Sequence, residues 1–522
     1  MTKIPAARQA SSGGNGAVRL AAVLSVAAAC AAMCGCAVGP DFHVPAAPVA
    51  AGYTATTLPA QTAAAPVTGG AAQRFMAGAE IPAQWWELFH NPDLDRVIRQ
   101  ALNDNPTLAA AQATLLQARE NLRARSGTEY YPSVDASFTG TRQQATGAAF
   151  GQPGAGAFIF SLFNASVGVS YTLDLFGGGR RELEGLRSQV DYQRFQLEGA
   201  YLTLASNIVT TAVKEASLRA QLKATREIIT LQERQVALVE RQFQLGGAAR
   251  ADILAQQAQL AQTRTSLPPL EKDLAQTRNL LAVYTGKLPS EAALPEFDLE
   301  KLNLPGELPL SLPSSLVRQR PDIRASEELL HAASAQVGVA TANLYPQITL
   351  NGSMGSQATR IQDLFSSGTF IWSLGAGLTQ PLFHGGELTA KRRAAIAALD
   401  QAWAQYRGTV LQAFQNVADV LQALESDAAA LKAQSEAERS ARDSLELTQR
   451  QFTLGAVSYL SLLNAERQHQ QALLGLVQAQ AARFADSAAL FQALGGGWWN
   501  RETASAPGKD SDGANANGDR TP

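Results

Sequence analysis

The chain has 522 residues, 46% of them hydrophobic, three cysteines and a net charge of −2. That size permits several domains with sizeable cores, and the balanced charge excludes the basic face that nucleic-acid binding requires. Beyond residue 36 no apolar run reaches the roughly 18 residues of a spanning helix, which leaves strands as the only way across a bilayer.

Residues 1–35 read as an export signal, with Lys3, Arg8 and Arg19 ahead of an apolar stretch from Leu20 to Met33. Cys30, Cys34 and Cys36 sit at its end and no cysteine follows, so the thiols serve processing and not a disulfide framework. Cleavage between Gly35 and Cys36 leaves a terminal cysteine suited to lipid attachment. Cleavage before Cys34 and an unlipidated secreted start are the alternatives. Residues 36–82 are rich in Ala, Pro, Thr and Gly over 41–80, lack a period, and read as a lipidated, extended tether.

A first helix is predicted over 93–126, followed by strands at about 132–140 and 160–175. The second strand is the clearest: Val167, Val169, Tyr171 and Leu173 alternate with Ser166, Gly168, Ser170 and Thr172. One apolar and one small polar face is the pattern of a strand with lipid on one side and water on the other. A Gly-rich polar loop, 141–157, joins the two strands. A helix over 182–243 carries two sevenfold series: Leu183, Val190, Leu197, Leu204, Thr211, Leu218, and Tyr201, Ile208, Glu215, Leu222, Ile229, Val236, Phe243. Such spacing implies left-handed helix packing, and at a rise of ~1.5 Å per residue the helix is about 93 Å long. Gly246-Gly247 reverses the chain into a helix over 251–284, which Pro268-Pro269 bends or breaks. After an irregular belt, 286–313, the order recurs: helix 314–343, strands around Ile348–Met354 and Phe370–Thr379, loop 356–368, helix 388–452, a Gly455 reversal, helix 459–494. Residues 499–522 end the chain as a polar, disordered tail.

The recurrence is a duplication. Tyr130-Tyr131-Pro132 returns as Leu344-Tyr345-Pro346, Leu175-Phe176-Gly177 as Leu382-Phe383-His384, and Arg241-Gln242-Phe243 as Arg450-Gln451-Phe452, at offsets of 214, 207 and 209. The repeats span 83–310 and 311–498. Tyr130, Tyr131, Phe163, Phe176, Tyr345, Trp372 and Phe383 suit interfacial girdles. Four strands cannot close a barrel, and lipid does not tolerate an open edge. Closure therefore requires several copies of the chain.

The segment Gly35-Cys36-Ala37-Val38-Gly39-Pro40-Asp41-Phe42, the Trp85-Trp86-Glu87-Leu88-Phe89 run with Leu94, the paired Tyr-Pro segments, Leu173-Asp174-Leu175-Phe176-Gly177 and the two Phe-x-Leu-Gly tips together resemble a known family. It is that of the outer membrane factors, the TolC-like channels, in their NodT-type lipoprotein branch, and the resemblance covers about residues 34–497. It implies a mainly α fold with a β-barrel part, a homotrimer whose four strands per chain complete a twelve-stranded transmembrane barrel above a coiled-coil α-barrel tunnel. It further implies an outer-membrane location, lipid-anchored at Cys36, in contact with outer-membrane lipid and extending into the periplasm. The implied partners are a periplasmic adaptor (membrane fusion) protein and an inner-membrane RND pump. The implied function is passive exit of small molecules such as drugs and toxic amphiphiles; a duct for type I protein secretion is the alternative.

The tips at Leu245, Gly246, Gly247 and at Leu454, Gly455 are helix reversals on their own reading and adaptor contacts by resemblance. Leu460 and Asn464 align with the leucine and acidic residue that narrow the closed pore in relatives. Asn464 replaces that acid, Ser461 stands where some relatives carry another, and Asp252 matches Ser461 in the first repeat as the one acidic ring. A leucine near a helix start is also a common core residue. No catalytic constellation emerges: His43, His90, His331, His384 and His469 are scattered, neither HExxH nor GxSxG occurs, and the Gly177 and Gly385 turns lack the Lys-Ser/Thr of a phosphate cradle. The chain is expected to be no enzyme and to need neither cofactor nor metal.

Overall fold

The computed structural model describes residues 37–50, 52–151, 154 and 156–501, which fall into two compact units. The first takes the described part of Met1–Pro45 with Thr114–Gln193 and Ala325–Arg407; the second takes Ala46–Ala113, Arg194–Arg324 and the described part of Gly408–Pro522. Each unit thus draws on both repeats. In chain order the elements are β1 (Arg74–Ala77), α1 (Pro92–Asp104), α2 (Pro106–Tyr130), β2 (Ser133–Thr146), β3 (Ala157–Leu173), α3 (Gly178–Gln244), α4 (Arg250–Arg264) and α5 (Leu267–Tyr284). There follow β4 (Glu307–Leu310), α6 (Pro313–Gln319), α7 (Pro321–Ala342), β5 (Gln347–Ala358), β6 (Phe370–Thr379), α8 (Glu387–Thr453) and α9 (Tyr459–Ala493). Among the described residues no helix is long and apolar enough to cross a membrane.

Duplication shows directly in α3 and α8, each of 67 residues. Along α3 the sevenfold positions Leu183, Leu204, Thr211, Leu218, Ile208, Leu222 and Ile229 are buried, as is Glu215. The helix expected over 93–126 is two. Pro106 opens α2 without an N–H to lose, and it forces Asn105 into extended backbone (φ −70°, ψ 122°). The Asn105 side chain then caps α2, its Oδ1 accepting from the N–H groups of Thr107 and Leu108 at 2.8 and 3.3 Å. Pro321 divides 314–343 at Arg320 in the same way. The expected break beside Pro268-Pro269 falls at 265–266.

The first unit holds a four-stranded antiparallel sheet in the order β2-β3-β5-β6. Its register keeps like with like: Val134 faces Val169, Val167 faces Met354 and Leu350 faces Ala376 on one side. On the other, Ser137 and Ser166 hydroxyls meet at 3.1 Å, Ser353 and Ser373 at 2.8 Å, and Ser170 donates to Asn351 at 2.9 Å. The apolar face, including Val134, Phe138, Leu374 and Trp372, is exposed. The strands outrun their expected ends, so the 141–157 and 356–368 loops are shorter: Thr141–Thr146 pairs with Leu162–Ala157, and Ser356 pairs with Phe370. Arg142, Gln143 and Gln144 interrupt the apolar alternation, but a backbone ladder needs no apolar side chains.

In the second unit Trp85 stacks on Phe491 with ring centroids 5.1 Å apart, within a core of Phe89, Leu94, Ile98, Ile208 and Phe484. Gly495, Gly496 and Gly497 all have φ near +70 to +96°. A side chain on them would run into Gln319, Leu202 or Ile81. The segment read as a free tether is pinned: β1 pairs in parallel with β4, and Gln73 is wholly buried. Residues 499–501, expected in the tail, also pack, Asn500 donating to Glu80 and to the Ile81 carbonyl at 2.9 Å.

Candidate functional site

Three places carry the functional expectations. Cys36 itself lies outside the described residues, as does Cys34, but the chain is fixed from the next residue onward. The Val38 N–H donates to the Phe176 carbonyl at 3.0 Å. Gly39 (φ +99°) and Gly177 (φ +80°) leave no room for a Cβ, which would lie 2.5 Å from the Cα of Gly338 and of Ala37 respectively. The almost buried Arg181 guanidinium donates to Asp41 at 2.5 Å, to Glu184 at 2.8 Å and to the Val38 carbonyl at 3.4 Å. Glu184 in turn meets His331 at 2.8 Å, and the His331 ring stacks on Phe42 at 4.2 Å. The Arg181 hydrogen bond holds Asp41 below the usual carboxylate range. Burial pushes Glu184 up, but its bonds to Arg181 and His331 outweigh that and leave it lowered. The hydrogen bond to Glu328, with that to Glu184, raises His331 above the ordinary imidazole value. Sequence reasoning quoted this segment but not its partners, which lie about 140 and 290 residues away.

The two tips share one cap. Gly246 (φ +79°) and Gly455 (φ +71°) turn left-handed; the N–H groups of Gly247 and Ala456 donate back to the Gln242 and Gln451 carbonyls, each at 2.8 Å. This is the Schellman closure of a helix end, and it leaves Leu245 and Leu454 projecting into solvent. Beyond the second tip, Ser458 caps α9 by accepting from the Ser461 N–H at 3.3 Å. Leu460 is 62% exposed on the single chain, and Ser461 and Asn464 are exposed on α9 with it. Leu462 and Leu463 take the buried side. Asp252 is engaged in its own helix, its carboxylate accepting from the Ala249 N–H at 2.9 Å.

Two buried polar groups escaped the sequence reading. Tyr459, beside Leu460, donates through its hydroxyl to Gln256 of α4. Burial raises that phenol, with the Glu466 and Asp252 carboxylates adding to the effect. Farther along α9, the wholly buried Arg483 donates to the Leu424 carbonyl at 3.3 Å, to Thr62 at 3.3 Å and to the Ala71 carbonyl at 3.1 Å. Gln73 bridges Ser487 and the Pro305 carbonyl at 2.9 Å each. One turn on, burial and the neighbouring Asp427 carboxylate, to which the protonated Asp486 donates, push the Asp486 carboxyl up to about 7. The available signal was a charged residue on the packed side of an otherwise apolar helix end, Arg483-Phe484.

The outer membrane efflux protein family model matches residues 97–287 and 312–496. The toluene efflux pump outer membrane protein TtgC of Pseudomonas putida is 30% identical over 483 residues, covering 92% of this chain and 96% of that protein. SilC of Salmonella typhimurium, whose name carries the designation outer membrane lipoprotein, is 30% identical over 424 residues, covering 79% and 88%. The solved outer-membrane channel OprN superposes with a TM-score of 0.79 at 27% identity, over 89% of this chain and all of that one. The family match falls in two stretches, one in each repeat, and covers most of the chain, the relative TtgC is 30% identical over nearly its whole length, and the fold is shared with a solved channel: this chain belongs to the outer membrane efflux protein family.

Proposed function

We propose that this chain is the outer-membrane exit channel of a tripartite efflux system. It is a passive duct and not an enzyme, and it works as a homotrimer with a periplasmic adaptor and an inner-membrane pump of the RND class. The observation that carries this reading is the sheet, which exposes most of its apolar face and leaves β2 and β6 as open edges. A sheet of that kind is viable only with lipid against the face and other strands on the edges. Lipidation at Cys36, with Cys34 as the alternative, is supported by a strap that grips the chain from residue 37. The exposed Leu245 and Leu454 fit adaptor docking. The exposed run Leu460, Ser461, Asn464 fits a constriction of apolar and neutral polar groups, with the Asp252 carboxylate held against its own helix by its capping bond. Deleting the gene is expected to sensitise cells to several amphiphilic toxins while every secreted protein is still exported. Loss of a secreted protein with unchanged toxin tolerance would transfer the chain to type I secretion.

A further inference from the structure

The two repeats present the same Leu-Phe turn in opposite environments. In the first repeat Leu175 and Phe176 are half-buried, and Phe176 stacks on Tyr345 with centroids 4.7 Å apart and planes 20° apart. In the second, Leu382 and Phe383 are 91% and 88% exposed. The tyrosine that corresponds to Tyr345 at the duplication offset is Tyr131, and it is 71% exposed. Each half of the missing stack is therefore present on the chain, without its mate.

We infer that β6 of one copy pairs with β2 of the next in the register that β3 and β5 adopt within the chain, and that Phe383 stacks on the neighbour's Tyr131 as Phe176 stacks on Tyr345. This rests on the proposed closure by several copies; the residue register and the aromatic pair go beyond it. Within the chain Ser170 faces Asn351 and Tyr171 faces Leu350. Carrying β3 onto β6 by the 207 offset and β5 onto β2 by the 214 offset places Gly377 opposite Ser137 and Leu378 opposite Ala136. The transfer has two internal checks. All of β6, from Phe370 opposite Gln144 to Thr379 opposite Asp135, finds partners inside β2. Both faces are also preserved: Leu374, Ala376 and Leu378 lie beside Gly140, Phe138 and Ala136, while Ser373, Gly375 and Gly377 lie beside Thr141, Thr139 and Ser137. A slip of one residue would put each apolar residue beside the polar face. A second strap like that of residues 37–42 is a poor cover for the bare turn, because Glu387 and Leu388 stand where the first repeat has Arg180 and the Asp41-binding Arg181.

The test uses the full chain inserted in membranes, with paired cysteine substitutions. Ser170 and Asn351 side chains touch at 2.9 Å in the template, so Ser137→Cys with Gly377→Cys is expected to form linked dimers and trimers under mild oxidation, more completely than Ser137→Cys with Gly375→Cys or with Thr379→Cys. Phe383→Ala is expected to weaken assembly in mild detergent by about three- to tenfold, while Phe383→Tyr retains it. Strongest linkage at a pair shifted by two residues overturns the register while leaving closure by copies intact. Absence of linkage at every pair in correctly inserted protein overturns the closure as well. Assembly unchanged in Phe383→Ala overturns the aromatic seam.

Discussion

Arg181 shows how a charged side chain earns a buried place: three acceptors close around it, and the chain end from Ala37 to Phe42 is held as a result. The groups around it titrate in opposite senses. Asp41 and Glu184 are lowered, so what they contribute is complete above the ordinary carboxylate range and is lost as the pH falls through their lowered values. His331 is raised, so its contribution is complete below 6.5 and is lost as the pH rises through its raised value. Protection of the Val38 amide from hydrogen exchange, corrected for intrinsic rate, is expected to pass through a plateau and fall on both sides. His331→Phe keeps the stack on Phe42 and should remove the alkaline fall while an acid fall, carried by the Arg181 bonds to Asp41 and Glu184, persists; an alkaline fall unchanged in that variant would contradict the assignment. Asp486 behaves differently. Its folded value of about 7 lies above the ordinary 3.8, so stability declines as the pH rises between those values and is level above them. Asp486→Asn should flatten that decline and raise the apparent thermal midpoint near pH 8 by about 2 °C or more. A midpoint that tracks wild type across the range would show that the Asp427–Asp486 pair does not couple to unfolding.

At the scale of elements, Asn105 does the work that helix periodicity hides. Asn105→Ala removes the acceptor of two α2 N–H groups and the donor to the Tyr284 carbonyl, and is expected to cost about 1–2 kcal/mol. Pro106→Ala, which leaves the cap in place, should change stability by less than about 0.5 kcal/mol. Equal losses in denaturant midpoints for the two variants would show that the proline and not the cap makes the break. The same comparison explains what the sequence makes legible. Heptads place α3 to within a few residues, because the apolar spacing persists over most of its length, and the duplication carries the same span onto α8. The duplication identifies both tips, because their Gly caps recur at one offset. Apolar spacing also runs across Asn105 and Arg320, so only Pro106 and Pro321 mark the breaks there. Exposure of Leu460 and Asn464 follows from helix phase. The Tyr459–Gln256 and Arg483–Thr62 bonds do not, since their partners are about 200 and 420 residues distant. The pinning of residues 62–77 was hidden for the same reason: low-complexity composition masks the one buried glutamine, Gln73, that ties the segment down.

For the whole molecule, a duct has to be closed in the membrane, narrow enough to be shut, and able to meet a partner. These demands fall on different residues, which makes them separable. In the proposed channel the sheet edges answer the first, Leu460 with Asn464 the second, and Leu245 with Leu454 the third. Leu245 and Leu454 are exposed beyond the caps that close their helices, so Leu245→Asp with Leu454→Asp is not expected to disturb folding. Charge there would have to be desolvated in any apolar docking contact. The double variant should therefore reach the outer membrane in normal amount and conduct ions in planar bilayers like wild type, yet fail to restore toxin resistance to a deletion strain. Leu460→Ser should do the reverse, raising conductance in bilayers with resistance retained or lowered. Leu462→Ser, two residues on but wholly buried, should instead reduce the amount of folded channel. If the tip variant lost conductance and resistance together, the tips would belong to the conducting path, and docking would have to be sought elsewhere on the helical unit.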